Sequence, residues 1–365
     1  INLILDRFLN SSLFLSVSTF EFGTAVEDMQ VGCIWQGPYL VSLSLRGHLT
    51  YLDKNSPRSH GKVITGHNKS IDTVAYHRPT NRIYTGSYDA VVTRWNGDSG
   101  ENEALGGDGH KNAVIRLRFQ GDDMFTVSVD DTLRVTRAGS DFTGEKVSLG
   151  GKPFGLAVAP NTRGLALTGT FEKKVLLVQN GRIVHSKDVA YTPTAFAFSP
   201  NESEIAVGGD DKNIHIYKLN GTSLGTETVL EGHRDTPTEI DYSPDGRYIA
   251  SGDKNRLVFV WENHAVNSLL SLSPLRNLIP LLAKISDWVY HTAAVGGLKW
   301  SPNGKHVASV ALDAKIIVWS IDDPKTRVTV DAAHHGGIND IDWIDDSTLV
   351  TVGQDATTRT WNISW

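Results

Sequence analysis

The sequence predicts an all-β protein: a seven-bladed β-propeller of four-stranded blades, preceded by a remnant strand triplet. Three observations predict it. A skeleton of a His, a β-branched residue four places on, and an Asp six residues before an aromatic or apolar residue first stands in Gly66 to Trp95 and then returns. Self-similarity at about 40 to 45 residues, with four strands per unit, is the signature of a propeller. The 365 residues hold 34 glycines and little helical periodicity, so many short strands joined by tight turns are expected.

In chain order, residues 1–28 show no repeat and stay unassigned. Residues 29–53 hold the triplet, Gly32-Cys33-Ile34-Trp35, Leu40-Val41-Ser42-Leu43 and His48-Leu49-Thr50-Tyr51-Leu52, with Arg46 and Leu52 where the repeat has Asp and Trp. Residues 54–60, polar with a Pro and two Ser, read as a linker. Residues 61–365 then hold seven units. The first has His67, Thr85, Asp89 and Trp95; the second has His110 and Asp130, with Thr136 replacing Trp. The third is degenerate, with Glu172 at the acidic position and Val178 at the end, and the fourth has Asp211 and Tyr217. The fifth has His233, Ser251, Asn255 and Trp261. After an insertion at 263–290, the sixth has His291, Ser309, Asp313 and Trp319, and the seventh His334, Thr351, Asp355 and Trp361.

Turns such as Tyr242-Ser243-Pro244-Asp245-Gly246 and Trp300-Ser301-Pro302-Asn303-Gly304 pair a strand-ending aromatic with a proline that presets the hairpin. Sheets stacked radially bury one another's apolar faces. Closure of the ring is expected from Gly61 to Thr65, added as the outer strand of the last blade so that no edge stays open. The insertion carries Pro274 and Pro280, which argue against one continuous helix.

Composition narrows the function. A formal net charge of −6 argues against affinity drawn from phosphate neutralisation, so no nucleic-acid partner is expected. No uninterrupted apolar run reaches the length of a membrane span. One cysteine, Cys33, excludes an internal disulfide framework and any multi-cysteine zinc site, and points to a reducing compartment. The first 20 residues carry Asp6 and Arg7 and no clear cleavage site, unlike a secretory leader, so the sequons at Asn10, Asn68, Asn201, Asn220 and Asn362 carry no weight. Because the first residue is Ile1, the sequence reads as a fragment or an imperfect gene product.

The His, hydroxyl and Asp of each unit have the composition of a catalytic triad. They recur unit after unit with an aromatic behind them, whereas an enzyme needs one nucleophile beside an oxyanion hole. The structural reading is that Asp holds its turn and the His, whose other nitrogen reaches the hydroxyl and then the Trp ring N–H, each buried bond being worth about 1 kcal/mol. No catalytic residue, metal site or cofactor is expected: His334-His335 lacks ligand spacing, and Asp210-Asp211-Lys212-Asn213 lacks the Gly and Glu of a calcium loop. Binding uses the fold more economically. The residues just before each acidic position, Tyr88, Phe171, Asp210, Lys254, Leu312 and Gln354, should gather on one rim of the channel, with the aromatic pair as anchors.

Gly66-His67, Gly109-His110 and Gly232-His233, with Trp95, Trp261, Trp319 and Trp361, give the chain the pattern of the WD-repeat family. More specifically, Gln30 to Trp35, Leu49 to Asp53, Gly66 to Ile71 and Asp322 to Val328 resemble the actin-interacting protein 1 family. That resemblance, over about residues 29–262 and 291–361, implies two seven-bladed propellers, of which this chain would carry the second and the last blade of the first. It also implies a non-enzymatic, monomeric protein of the cytoplasm and actin cytoskeleton that binds actin filaments and cofilin and promotes disassembly of cofilin-decorated filaments. The competing reading is a WD-repeat scaffold for another multiprotein complex, such as a ubiquitin-ligase adaptor or a signalling hub.

Overall fold

Seven short strands, Ile71–His77, Val114–Gln120, Pro153–Val158, Pro193–Phe198, Pro237–Tyr242, Val295–Trp300 and Ile338–Trp343, each open an antiparallel sheet and pack side by side in a closed ring, the last against the first. They are the inner strands of blades 1 to 7. The computed structural model describes residues 2–9, 13–22, 24, 26–36, 39–45, 47–52, 60–263 and 283–364. These fall into two compact units, Ile1–Asn68 and Lys69–Trp365, and the ring is the second. Blades 1 to 6 have four strands each, and blade 7 has three among the described residues.

The core lies between blades. Leu167, Val175 and Leu177 of blade 3 meet Phe196, Ile205 and Val207 of blade 4, and Ile214 and Ile216 of blade 4 meet Ile240 and Ile249 of blade 5. Each such fully buried side chain contributes about 1.5–3 kcal/mol relative to exposure. Close approach explains one glycine pattern. Gly86, Gly169, Gly208 and Gly252 stand three residues before the acidic position, where a Cβ would come within 2.5–2.9 Å of Val114, Pro193, Pro237 or Val295, the first residues of inner strands in neighbouring blades.

Blade 7 joins blade 1 by a device used elsewhere in the ring. Thr194 and Thr238 each donate to the opening carbonyl of the next inner strand, that of Pro237 or Val295, and Asn339 of blade 7 donates to Ile71 O of blade 1. Likewise Asp241 accepts from Trp300 N, and Asp342 from Tyr76 N. Asp340 adds bonds from Thr73 Oγ1 at 2.9 Å and Val74 N at 3.0 Å. The seam is thus held at the inner strands.

The expected clasp is a different element. His60–Ile64 pairs with Leu49–Leu52, completing a four-stranded sheet with Gln30–Gln36 and Tyr39–Ser44 inside the first unit. A strand's nearest sequential neighbour with an open edge is its commonest partner. Ile1–Asn68 also contains the hairpin Asn2–Leu9 with Leu13–Glu21, where no repeat was read. Of the linker at 54–60, residues 54–59 lie outside the described residues, and His60 begins a strand. The insertion read at 263–290 is shorter. Ala283–Trp288 is the outer strand of blade 5, and Trp288 is buried and stacked on Trp319 at 4.4 Å between ring centres, while 264–282 lie outside the described residues.

Candidate functional site

In blade 6, His291 Nδ1 lies 3.2 Å from Asp313 Oδ2, His291 Nε2 lies 2.9 Å from Ser309 Oγ, and Trp319 Nε1 donates to the same oxygen at 2.9 Å. With the ring proton on Nδ1 facing the carboxylate, the hydroxyl donates to Nε2 and accepts from Trp319. Blade 7 repeats this with His334, Asp355, Thr351 and Trp361. Blade 2 keeps His110, Asp130 and Thr126, and Thr136 stands where a Trp would. In blade 1, Trp95 Nε1 donates to Thr85 Oγ1 at 2.7 Å and Asp89 accepts from Val91 N, whereas His67 belongs to the first unit.

Two blades solve the problem differently. In blade 5 the carboxylate beside His233 is Asp253, at 3.0 Å, and not the side chain at position 255; Ser251 and Trp261 complete the chain. Asp253 also accepts from Leu257 N, so it holds the turn from the end of its strand. In blade 4, Val207 replaces the hydroxyl and Tyr191 replaces the His. Tyr191 and Tyr217 then bond directly, oxygen to oxygen, at 2.7 Å. His215 stacks on Tyr191 and lies between Asp211 and Glu227. Burial pushes both tyrosines far above their usual pKa.

These groups are consumed by one another. Burial alone would raise Asp313, yet the His291 ring and the N–H groups of Thr292 and Lys315 hold it down to about 2. Asp355 is held lower still, by His334 and His335 N against its burial. Burial keeps His110 and His334 below the usual imidazole value. Among the described residues no cluster of His, Cys, Asp and Glu has the arrangement of a metal site.

The six rim positions occupy equivalent places. Each backbone N–H donates to the loop entering its own blade: Tyr88 to Ser70 O, Phe171 to Lys152 O, Asp210 to Thr192 O, Lys254 to Thr236 O, Leu312 to Ala294 O and Gln354 to Gly337 O, all at 2.9–3.1 Å. Val129, just before Asp130 and bonded to Ala113 O, is the seventh, which the six named positions leave out. All six named side chains are exposed, Tyr88 by 61%, Phe171 by 63% and Leu312 by 44%. Lys69 Nζ sits 5.6 Å from the Tyr88 ring centre, and Phe154 lies 5.9 Å behind Phe171. Asp210 differs, since Thr192 N and its hydroxyl hold the carboxyl below its usual value against partial burial. The rim therefore offers two separated aromatics on a fixed backbone ring.

Charge fills the channel. Arg116 and Arg118 of blade 2 reach Glu239 of blade 5 at 3.2 and 3.1 Å, and Arg118 also meets Asp340 of blade 7 at 3.2 Å. Burial opposes the charge of Arg118, but Asp340 and Glu239 keep its pKa above the usual value. Burial pushes Asp342 up.

Blades that tie a His–hydroxyl–Trp chain to a turn carboxylate define a WD-repeat propeller, and the chain belongs to the WD-repeat family. The repeat described as WD domain, G-beta repeat matches residues 58–96, 181–218, 224–262, 284–320 and 325–362, leaving unmatched the stretch of blades 2 and 3 where Thr136 and Val178 replace Trp. Within the family the chain is similar to actin-interacting protein 1 of Drosophila melanogaster, 36% identical over 349 residues, 95% of this chain and 55% of the fly protein. It is 35% identical over 355 residues to WD repeat-containing protein 1 of Gallus gallus, 96% of this chain and 56% of that protein. The 66 kDa stress protein of Physarum polycephalum is 35% identical over 348 residues, again 95% and 55%. The chain thus spans about half the length of these relatives. No helix among the described residues is long and apolar enough to cross a membrane.

Proposed function

We propose that this chain is part of a non-enzymatic, monomeric actin-binding protein that acts in the cytoplasm, on the actin cytoskeleton, and promotes disassembly of cofilin-decorated filaments. The observation that carries the reading is the similarity to a protein named actin-interacting protein 1 over 95% of this chain. The rim supplies a contact surface in keeping with it: Tyr88 and Phe171 are large, exposed and held on a rigid backbone, and aromatics of this kind dominate interface energetics. In this reading the sheet of Gln30–Gln36, Tyr39–Ser44, Leu49–Leu52 and His60–Ile64 is the last blade of a preceding propeller.

The test is sedimentation of filamentous actin with cofilin, with and without the protein. The expected result is more actin in the supernatant only when cofilin is present; no increase with the full-length protein would sink the proposal. A scaffold for another multiprotein complex is the second reading. It is favoured by relatives named for a stress response or for the repeat alone. Recovery of such a complex without actin or cofilin would support it.

A further inference from the structure

Blade 2 has a gap in its outer layer. Its third strand, Thr132–Arg137, has six residues, but the outer strand Val147–Ser148 has two and pairs only with Leu133 and Thr132. The connection between them is drawn towards blade 1. Phe142 N bonds to Gly106 O, Gly139 N to Tyr84 Oη, and Arg94 donates to Gly139 O. By the time the chain returns, half of the edge has been passed.

Alternation fixes what that edge exposes. Leu149 N donates to Asp131 O, and Leu133 pairs with Val147, so odd-numbered residues of this strand turn their backbone groups outward. Val135 is the next outward residue, and among the described residues neither its N–H nor its C=O has a partner. Beside it lies a cavity of about 730 Å³. Phe125, Leu133 and Val147 make its floor, and Lys146, Arg163 and Asn180 stand at its sides. Asp123 and Glu145 also line it, so the groove itself is balanced in charge.

The blade 3 wall is not balanced. On the blade 3 side the groove is lined by Arg163, Gly164, Asn180 and Gly181, with Arg182 next in the chain, so that this side carries two cations and no carboxylate. Arg163 is 86% exposed and holds Asp123 only at 3.5 Å. Arg182, beside the groove at Gly181, is exposed and makes no ion pair among the described residues.

We propose that this groove is a docking site for an extended acidic peptide segment of a partner protein, which adds as a strand to the open edge of blade 2. Its backbone pairs with Val135, alternate apolar side chains fill the floor, and its carboxylates face Arg163 and Arg182. Strand addition of this kind draws affinity from main-chain bonds and specificity from alternate side chains. A strand of five residues, about 17 Å long, would span the missing half. The site lies apart from the rim and does not rest on the filament reading.

The probe is a fluorescein-labelled heptapeptide alternating acidic residues with valine and isoleucine, titrated with the full 365-residue chain and followed by anisotropy. Saturable binding is expected, together with slowed amide exchange in residues 133–137. Binding should weaken about tenfold or more when lysine replaces the acidic residues, when alternate peptide nitrogens are methylated, or in the doubly reversed surface variant R163E/R182E. No saturable binding overturns the proposal. So does binding that survives N-methylation, which marks a purely electrostatic contact, or binding unchanged by the charge reversal. A chain that binds the peptide but fails to act on filaments leaves this site standing and the filament reading refuted.

Discussion

Ser309→Ala isolates the blade network at its centre. The hydroxyl is fully buried, and it joins two side chains that are themselves buried, His291 at 1% exposure and Trp319 at 0%. Removing it leaves the imidazole Nε2 without its donor and the indole N–H without its acceptor, both now 2.9 Å from that oxygen. Each orphaned buried group costs about 1–3 kcal/mol, so with two of them a loss of about 2–6 kcal/mol is expected. Urea unfolding read by tryptophan fluorescence measures it, with amide exchange of Val295–Trp300 and Ile316–Ser320 reporting whether blade 6 loosens first. Ser99→Ala, at an exposed turn, is the control and should stay within about 0.5 kcal/mol of the parent. A Ser309→Ala change no larger than that control would refute the reasoning, because it would mean the three side chains are placed by packing alone.

Three further outcomes follow from the same geometry. Asp253→Asn should destabilise blade 5 by about 1–3 kcal/mol, since it weakens the partner of His233, while Asn255→Ala should stay within about 0.5 kcal/mol, and the reverse order in unfolding experiments would reject the assignment of Asp253. Asp340→Ala removes the acceptor of Thr73 Oγ1 and Val74 N and uncovers the buried Arg118, so a loss of about 3–5 kcal/mol is expected, with the fastest exchange in Ile71–His77; uniform loosening of all blades would contradict an inner-strand seam. On acidification, stability should fall in two windows measured by melting temperature. His110 and His334 are depressed, so their contribution is present above about pH 6.5 and lost as pH falls below it. Asp313 and Asp355 are depressed too, and theirs is lost below about pH 4, roughly 2 kcal/mol for Asp313. The raised Asp342 acts in the opposite sense, stabilising as it protonates, and a melting temperature flat from pH 7 to 3 would contradict the balance.

In blades 6 and 7 the six-residue spacing of Asp and Trp marks the network, because that spacing is the length of the turn and strand between them. It misled at blade 5, where Asp253 reaches the same histidine from two residues earlier, and at blade 4, where Tyr191 and Tyr217 span the distance a missing hydroxyl leaves. The outer strand Ala283–Trp288 follows an apolar stretch of sequence that breaks the repeat period, so no spacing marks it. Ring closure was misread for a different reason: an open edge can be satisfied by more than one strand, and local sequence does not say which. The channel cluster left no signal at all. Arg118 meets Glu239 and Asp340 across 121 and 222 residues of chain, a separation no periodicity encodes.

Co-sedimentation of cofilin-decorated filaments with the protein and with its Tyr88→Ala/Phe171→Ala variant tests most directly whether the rim is the proposed contact surface for actin. Both side chains are exposed and each backbone is held by its own N–H bond, so the variant should keep the parent's melting temperature. Loss of two aromatic anchors at about 2 kcal/mol each should weaken pelleting with the filaments by more than tenfold. An unchanged binding curve for a folded variant would exclude the rim as that surface.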